Sequence, residues 1–183
     1  MHSIKSHEIK LANAFTSSDY VRPILQLIEI TPTQLIATDS YKVIFVERSQ
    51  FPDIIDSSKK EYMAKSLSTA IAKSTTSKNA KDNHANLPIE TSTGDLADGV
   101  YPNCKQVVDD WSKRDNSTNQ DGDLFSIKQL AEMFTALHAH NKLIKGNDKI
   151  AIRIADYPDN SCHALIFKLF KSETNGILMG CHN

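Results

Sequence analysis

Residues 34–47 read QLIATDSYKVIFVE, two short apolar runs separated by Asp39-Ser40-Tyr41. No other stretch restricts the fold of this chain as much. Leu35 to Thr38 and Tyr41 to Glu47 are rich in the aliphatic, β-branched and aromatic residues that suit a pleated, half-buried surface, so each predicts a strand. Asp39 can accept hydrogen bonds from backbone N–H groups just ahead of it, the Asx role that closes a tight turn. Residues 21–31 predict a preceding strand, with Ile24, Ile28 and Ile30 on one face and Leu25 and Leu27 on the other. Thr31-Pro32-Thr33 then turns the chain, close enough for the first two strands to form a hairpin. Before them, Ile4, Leu11, Ala12 and Phe15 recur at helical spacing and predict a helix over 6–17.

The same order returns in the last third. Ser126-Ile127-Lys128-Gln129 fits a capping box, and Ile127, Leu130, Ala131, Phe134 and Leu137 make the apolar stripe of a helix. After the turn Gly146-Asn147-Asp148, residues 149–155 alternate, with Ile150, Ile152 and Ile154 on one face. Tyr157-Pro158-Asp159-Asn160 turns again, 163–171 alternates, and 176–181 predicts a closing strand. Each half thus offers one amphipathic helix and about three strands. Two helices packed on antiparallel sheets satisfy both sets of apolar faces, so the fold class read here is α+β, a single domain over 1–183.

Residues 49–123 read as an insertion in that domain. Met63, Leu67, Ala70 and Ile71 predict a helix within 58–74. Residues 75–86 are polar and predict a mobile loop, and 112–123 contain no apolar side chain. Between these lies 98–108, a turn-forming segment whose aromatic and valines predict that it docks on the rest.

Composition narrows the function classes. With 21 Lys and Arg against 22 Asp and Glu, the net charge is −1, without the basic excess of a dedicated nucleic-acid binder. Cys104, Cys162 and Cys181 form no C-x-x-C pair, which predicts reduced thiols and no metal knuckle or redox motif. Met1-His2-Ser3-Ile4-Lys5 lacks the apolar run of a signal peptide, and no apolar stretch approaches the ~20 residues of a membrane helix. The expectation is a cytoplasmic protein with no membrane partner. His138 and His140, two apart, point to different faces of a helix and read as solvated helix-end histidines, with no metal site. No G-x-S-x-G, P-loop or G-x-G-x-x-G is present, so the chain reads as a non-enzyme without cofactors.

Three segments, in order, resemble the beta subunit of bacterial DNA polymerase III, the DNA sliding clamp. Arg22-Pro23-Ile24-Leu25 followed by Leu35-Ile36-Ala37-Thr38-Asp39-Ser40-Tyr41-Lys42-Val43 is similar to the clamp run R-x-x-L, then L-x-A-T-D-G-H-R-L. Asp98-Gly99-Val100-Tyr101-Pro102-Asn103-Cys104-Lys105-Gln106-Val107 resembles D-G-x-F-P-D-Y-x-x-V, and Gly176-Ile177-Leu178-Met179-Gly180-Cys181 resembles Y-V-V-M-P-M. In that family these segments line a hydrophobic groove for short linear peptides of polymerases and other replication proteins.

The resemblance therefore implies a groove of Thr38, Ser40, Tyr41, Lys42, Val43, Pro102, Val107, Ile177 and Met179. Val43, Val107, Ile177 and Met179 would form the floor, with Tyr41 and Lys42 as the polar rim. It also implies a helix face turned to double-stranded DNA, for which Lys5, Lys10, Lys128 and Lys142 are the candidates. A ring of clamp domains would need about six copies of this chain, a homo-oligomer. The implied role is a processivity or accessory protein of DNA replication. The near-neutral charge favours a second role, an interaction or decoy module of phage or mobile-element type that keeps the clamp fold without encircling DNA. Ser40, Lys42 and Gly180 stand where the family has glycine, arginine and proline.

Overall fold

A computed structural model describes residues 2–48, 61–74, 84–87, 100–113, 125–144, 149–156 and 163–180. The elements in chain order are β1 (His2–Lys5), α1 (Ser6–Asn13), a 3-10 turn (Pro23–Gln26), β2 (Ile28–Ile30), β3 (Gln34–Thr38), β4 (Lys42–Glu47), β5 (Glu61–Met63), α2 (Lys65–Ser74), β6 (His84–Leu87), α3 (Cys104–Ser112), α4 (Ile127–Ile144), β7 (Ile150–Asp156), β8 (His163–Leu169) and β9 (Asn175–Met179). Seven strands form one sheet in the order β5-β2-β3-β4-β9-β8-β7, and β1 pairs with β6 in a second, two-stranded sheet. Every pairing is antiparallel.

Side-chain alternation sorts the large sheet into two cores. Leu35, Ala37, Ile44, Val46, Leu165, Phe167, Leu169 and Leu178 face inward, where Ile9 and Leu11 of α1, Phe15 just after it, and Met133 and Leu137 of α4 cover them. Their neighbours Ile36, Val43 and Phe45 face outward against Tyr101 and Cys104. Ala155, Ala164 and Ile177 meet Trp111 on that same outer side. A sheet covered on both faces has no polar side, which is why β4 reads as an almost unbroken apolar run.

Among the described residues the inner helix layer has three members. α1 lies on β3 and β4, with α2 on one flank and α4 on the other. The expected pair of helices is therefore joined by the helix from the middle of the chain. That middle is woven into the fold wherever it is described: β5 extends the large sheet beside β2, β6 pairs with β1, and α3 covers the outer face.

Several element boundaries differ from the sequence expectation. Residues 21–31 give a strand only at Ile28–Ile30, because Pro23 at the start of the 3-10 turn presets a helical φ and cannot donate to a ladder. Glu61–Met63 is strand rather than helix, since Tyr62 and Met63 are drawn into opposite cores beside β2. His84–Leu87, of which 84–86 were expected as loop, is strand. Of the segment 98–108, expected as a docking turn, residues 104–108 form the start of α3, and 98–99 lie outside the described residues. Residues 58–60, 75–83 and 114–123, with the turns at 146–148 and 157–160, lie outside the described residues.

The helix α4 begins as expected, with the Ser126 hydroxyl accepting from the Gln129 N–H at 3.3 Å. Its buried row differs. Met133, Leu137, His140 and Asn141 face inward, whereas Ile127 is 84% exposed and Phe134 37%. The apolar stripe counted from residue type misses this row because two of its members are polar. His140, expected in solvent, is buried with its ring 5.1 Å from that of the equally buried His7. His140 Nδ1 lies 3.4 Å from the His7 carbonyl oxygen and donates to it in the matching tautomer. Burial holds both imidazoles down to about 4; the Lys5 charge adds to this at His7, and the His7 ring adds to it at His140. His138 remains exposed.

Candidate peptide-binding groove

The hairpin between β3 and β4 is built as Asp39 dictates. Its Oδ1 accepts from the N–H groups of Tyr41 and Lys42, each at 2.9 Å, and the Thr38 hydroxyl accepts from the Ser40 N–H. Ser40 takes a φ of +82°, a left-handed conformation that glycine adopts without strain. From the side, the Arg22 guanidinium donates to the Ser40 hydroxyl at 3.2 Å. The Met179 N–H donates to the Tyr41 carbonyl at 2.7 Å, so the hairpin tip is tied into β9.

The opposite wall comes from α3. Tyr101 is buried and donates its hydroxyl to the Ile36 carbonyl at 3.1 Å, which anchors the chain just before Pro102. Burial pushes the Tyr101 phenol well above its ordinary range, so the hydroxyl stays protonated and keeps donating. Asn103 caps the helix, its Oδ1 accepting from the Gln106 N–H. Cys104, Val108 and Trp111 then turn to the sheet while Val107, one row round, stays 42% exposed.

Between these walls is a cavity of about 260 Å³, lined by Thr38, Ser40, Tyr41, Lys42, Val43, Pro102, Cys104, Val107, Ile177 and Met179. All nine residues named from the sequence border it, drawn from three distant segments. Val43 and Ile177 pair directly across β4 and β9 and form the buried floor, Met179 is half-buried, and Tyr41 stands 60% exposed at the mouth. Cys104 was not anticipated. The signal for it was the N-cap Asn103 followed by Cys104, Val107, Val108 and Trp111 at i, i+3, i+4 and i+7.

Lys42 borders the cavity but is not its cationic rim. Its side chain is 6% exposed and passes to the inner face, where Nζ lies 3.5 Å from Asp39, 3.5 Å from Glu132 of α4, and 5.5 Å from the Phe15 ring centroid. Strand alternation is the cause: Val43 faces the groove, so Lys42 faces the helices.

The four lysines considered for a DNA-facing surface do not gather. Lys10, Lys128 and Lys142 are exposed on α1 and α4, and Lys5 is half-buried at the β1–α1 junction. Lys128 and Lys142 stand about 21 Å apart along α4. Between α1 and α4 runs a second groove of about 680 Å³, whose apolar lining includes Leu11, Ala14, Ala131, Ala136 and Leu143, with Lys10 and Glu132 among its borders.

The closed arrangement of sheet, inner helices and outer α3 has a counterpart among solved structures. The DNA polymerase sliding clamp of Pseudomonas aeruginosa, solved with a ligand, matches all of this chain and 66% of its own, at 15% identity and a TM-score of 0.53. The fold is that of a bacterial DNA sliding clamp. The beta subunit of DNA polymerase III from Thermotoga maritima matches 99% of this chain and 64% of its own at 9% identity and a TM-score of 0.49. The Bacillus subtilis clamp matches 100% and 64% at 12% and 0.45. The chain thus spans slightly less than two thirds of the length of these clamps. No family model and no curated protein matches the sequence. In this clamp fold the candidate groove lies on the outer side of the sheet, and α1, α2 and α4 form the inner layer.

Proposed function

We propose that the chain is a sliding-clamp-like accessory protein of DNA replication, non-enzymatic, that holds short linear peptides of a DNA polymerase or other replication proteins in the groove between the β3–β4 hairpin, β9 and α3. What supports the reading is one convergence. Nine residues singled out by resemblance in three separated segments line a single apolar cavity, on a fold of the clamp type. The cavity suits the apolar side chains of a peptide anchor: an aliphatic floor, a thioether that adapts its shape, and an exposed tyrosine at the mouth. A fluorescent peptide of Q-x-x-L-F type is expected to bind with a dissociation constant below about 100 micromolar, and Met179→Asp to weaken it at least about tenfold. No binding at that concentration, or an indifferent Met179→Asp, rejects the reading.

A second reading is favoured by the inner face. Of Lys5, Lys10, Lys128 and Lys142 only Lys10 borders the apolar groove there, and the net charge of the whole chain is −1. A module that keeps the peptide groove without encircling DNA would bind the same peptide and show no salt-dependent affinity for a duplex.

A further inference from the structure

The groove between α1 and α4 has no part in peptide binding, although it is the larger of the two. The helices run antiparallel. At one end the His7 and His140 rings face each other, and at the other Lys42 Nζ reaches both the Phe15 ring and Glu132. The side chains between them are small: Ala14, just after α1, and Ala131, Ala136 and Ala139 of α4. Small residues at a helix contact normally let the axes close up. Here they leave about 680 Å³ open, within the range of sites for small organic molecules.

The lining turns polar at the His7 end. His7 is 4% exposed, and its Nδ1 has no hydrogen-bond partner. An unpaired nitrogen at the wall of an apolar cavity is costly, and a ligand that brings a hydrogen-bonding atom removes that cost. Burial keeps the imidazole neutral at pH 7, so it offers a hydrogen bond rather than a charge. One turn along α1, exposed Lys10 borders the groove and makes no ion pair among the described residues. The nearby acids are engaged elsewhere. Glu8 is buried with Oε2 accepting from the Lys5 N–H, and Glu132 lies 3.5 Å from Lys42 Nζ.

We propose that this groove is a binding site for a linear alkyl carboxylic acid, a free medium-chain fatty acid, with its carboxylate held by Lys10 Nζ and His7 Nδ1–H and its chain laid along the alanines toward Ala131. Charge selects the head group. A single unpaired cation beside a neutral donor matches one carboxylate, whereas an amine meets Lys10 as a like charge and a phosphate brings more charge than one lysine balances. Length selects the tail. From His140 to Ala131 the helix rises about 14 Å, the reach of an extended chain of about 10 to 12 carbons. Width agrees, because a row of alanines gives a narrow apolar channel suited to methylenes. The site is separate from the peptide groove, which opens on the other side of the sheet, and does not depend on it.

Isothermal titration of the full chain with decanoate tests this, with octanoate, decanol and decylammonium as comparisons. One decanoate per chain is expected, with a dissociation constant below about 100 micromolar. Octanoate, two methylenes shorter, should bind about fivefold to tenfold more weakly. Ala139→Trp fills the channel and should weaken decanoate at least about tenfold. Because that variant could disturb the helix seam, exposed Lys10→Glu supplies an independent reading. It should weaken decanoate at least about fivefold and leave decanol unchanged. Met179→Asp, in the peptide groove, should alter neither. No saturable binding, several acids per chain, decanol or decylammonium bound as tightly as decanoate, or decanoate binding indifferent to Lys10→Glu or abolished by Met179→Asp overturns the proposal.

Discussion

Between Asp39 and Glu132, over the Phe15 ring, the Lys42 ammonium has its partners on the inner face of the sheet. Methionine has a similar length and would cover Phe15 as well, so Lys42→Met is expected to change peptide affinity by no more than about twofold. The peptide titration checks this; a tenfold loss would put the ammonium inside the groove after all. Gly176 is the opposite kind of residue, silent in any charge or motif argument. A methyl group there would run into the Val43 carbonyl oxygen and, at 2.6 Å, into the Phe167 ring. Both neighbours belong to the sheet's centre, so Gly176→Ala is expected to cost about 1–3 kcal/mol in urea denaturation. An unchanged midpoint would mean that β4 and β9 separate freely.

Among the elements, the α1–α4 seam has a pH dependence with a definite sign. His7 and His140 are held at about 4 in the fold against an ordinary 6.5. Between those values the unfolded chain takes up protons that the folded chain refuses, so stability falls as pH drops from 6.5 toward 4. Above 6.5 the contribution is constant. The slope is at most about 1.4 kcal/mol per pH unit for each histidine. Urea unfolding at pH 7 and pH 5 measures it, and His140→Phe should flatten the dependence; a stability independent of pH over this range refutes it.

The same seam marks where the sequence stopped being legible. Elements whose burial follows residue type were readable: the β3–β4 hairpin from its aliphatics and Asp39, β7 from its three isoleucines, and the start of α4 from Ser126 and Gln129. The buried row of α4 was not, because His140 and Asn141 are inside only through what α1 presents to them. β5 and β6 were lost because pairing with distant β2 and β1 overrides local propensity. The groove was reached through motif resemblance; its geometry needed α3, which polar Lys105, Gln106, Asp109 and Asp110 disguise as loop.

For the whole molecule, charge distribution decides between the two proposed roles. Duplex binding through Lys5, Lys10, Lys128 and Lys142 alone should show a log–log salt slope of about −4. Fluorescence anisotropy with a short duplex measures it. A steeper slope would bring in further cations, such as Lys65 and Lys73 of α2. Assembly raises a different matter, visible in the ladder between β4 and β9. It joins residues 42–45 to 175–178, far apart along the chain. Contacts so far apart in sequence are entropically slow to close and tend to lower the folding rate. During synthesis α1 and the β3–β4 hairpin can form early, yet the groove floor of Val43 and Ile177 must wait until β9 has emerged. Peptide recognition would then be acquired only once β9 pairs with β4, and a chain cut before β9 could not compete for partners with one that carries it.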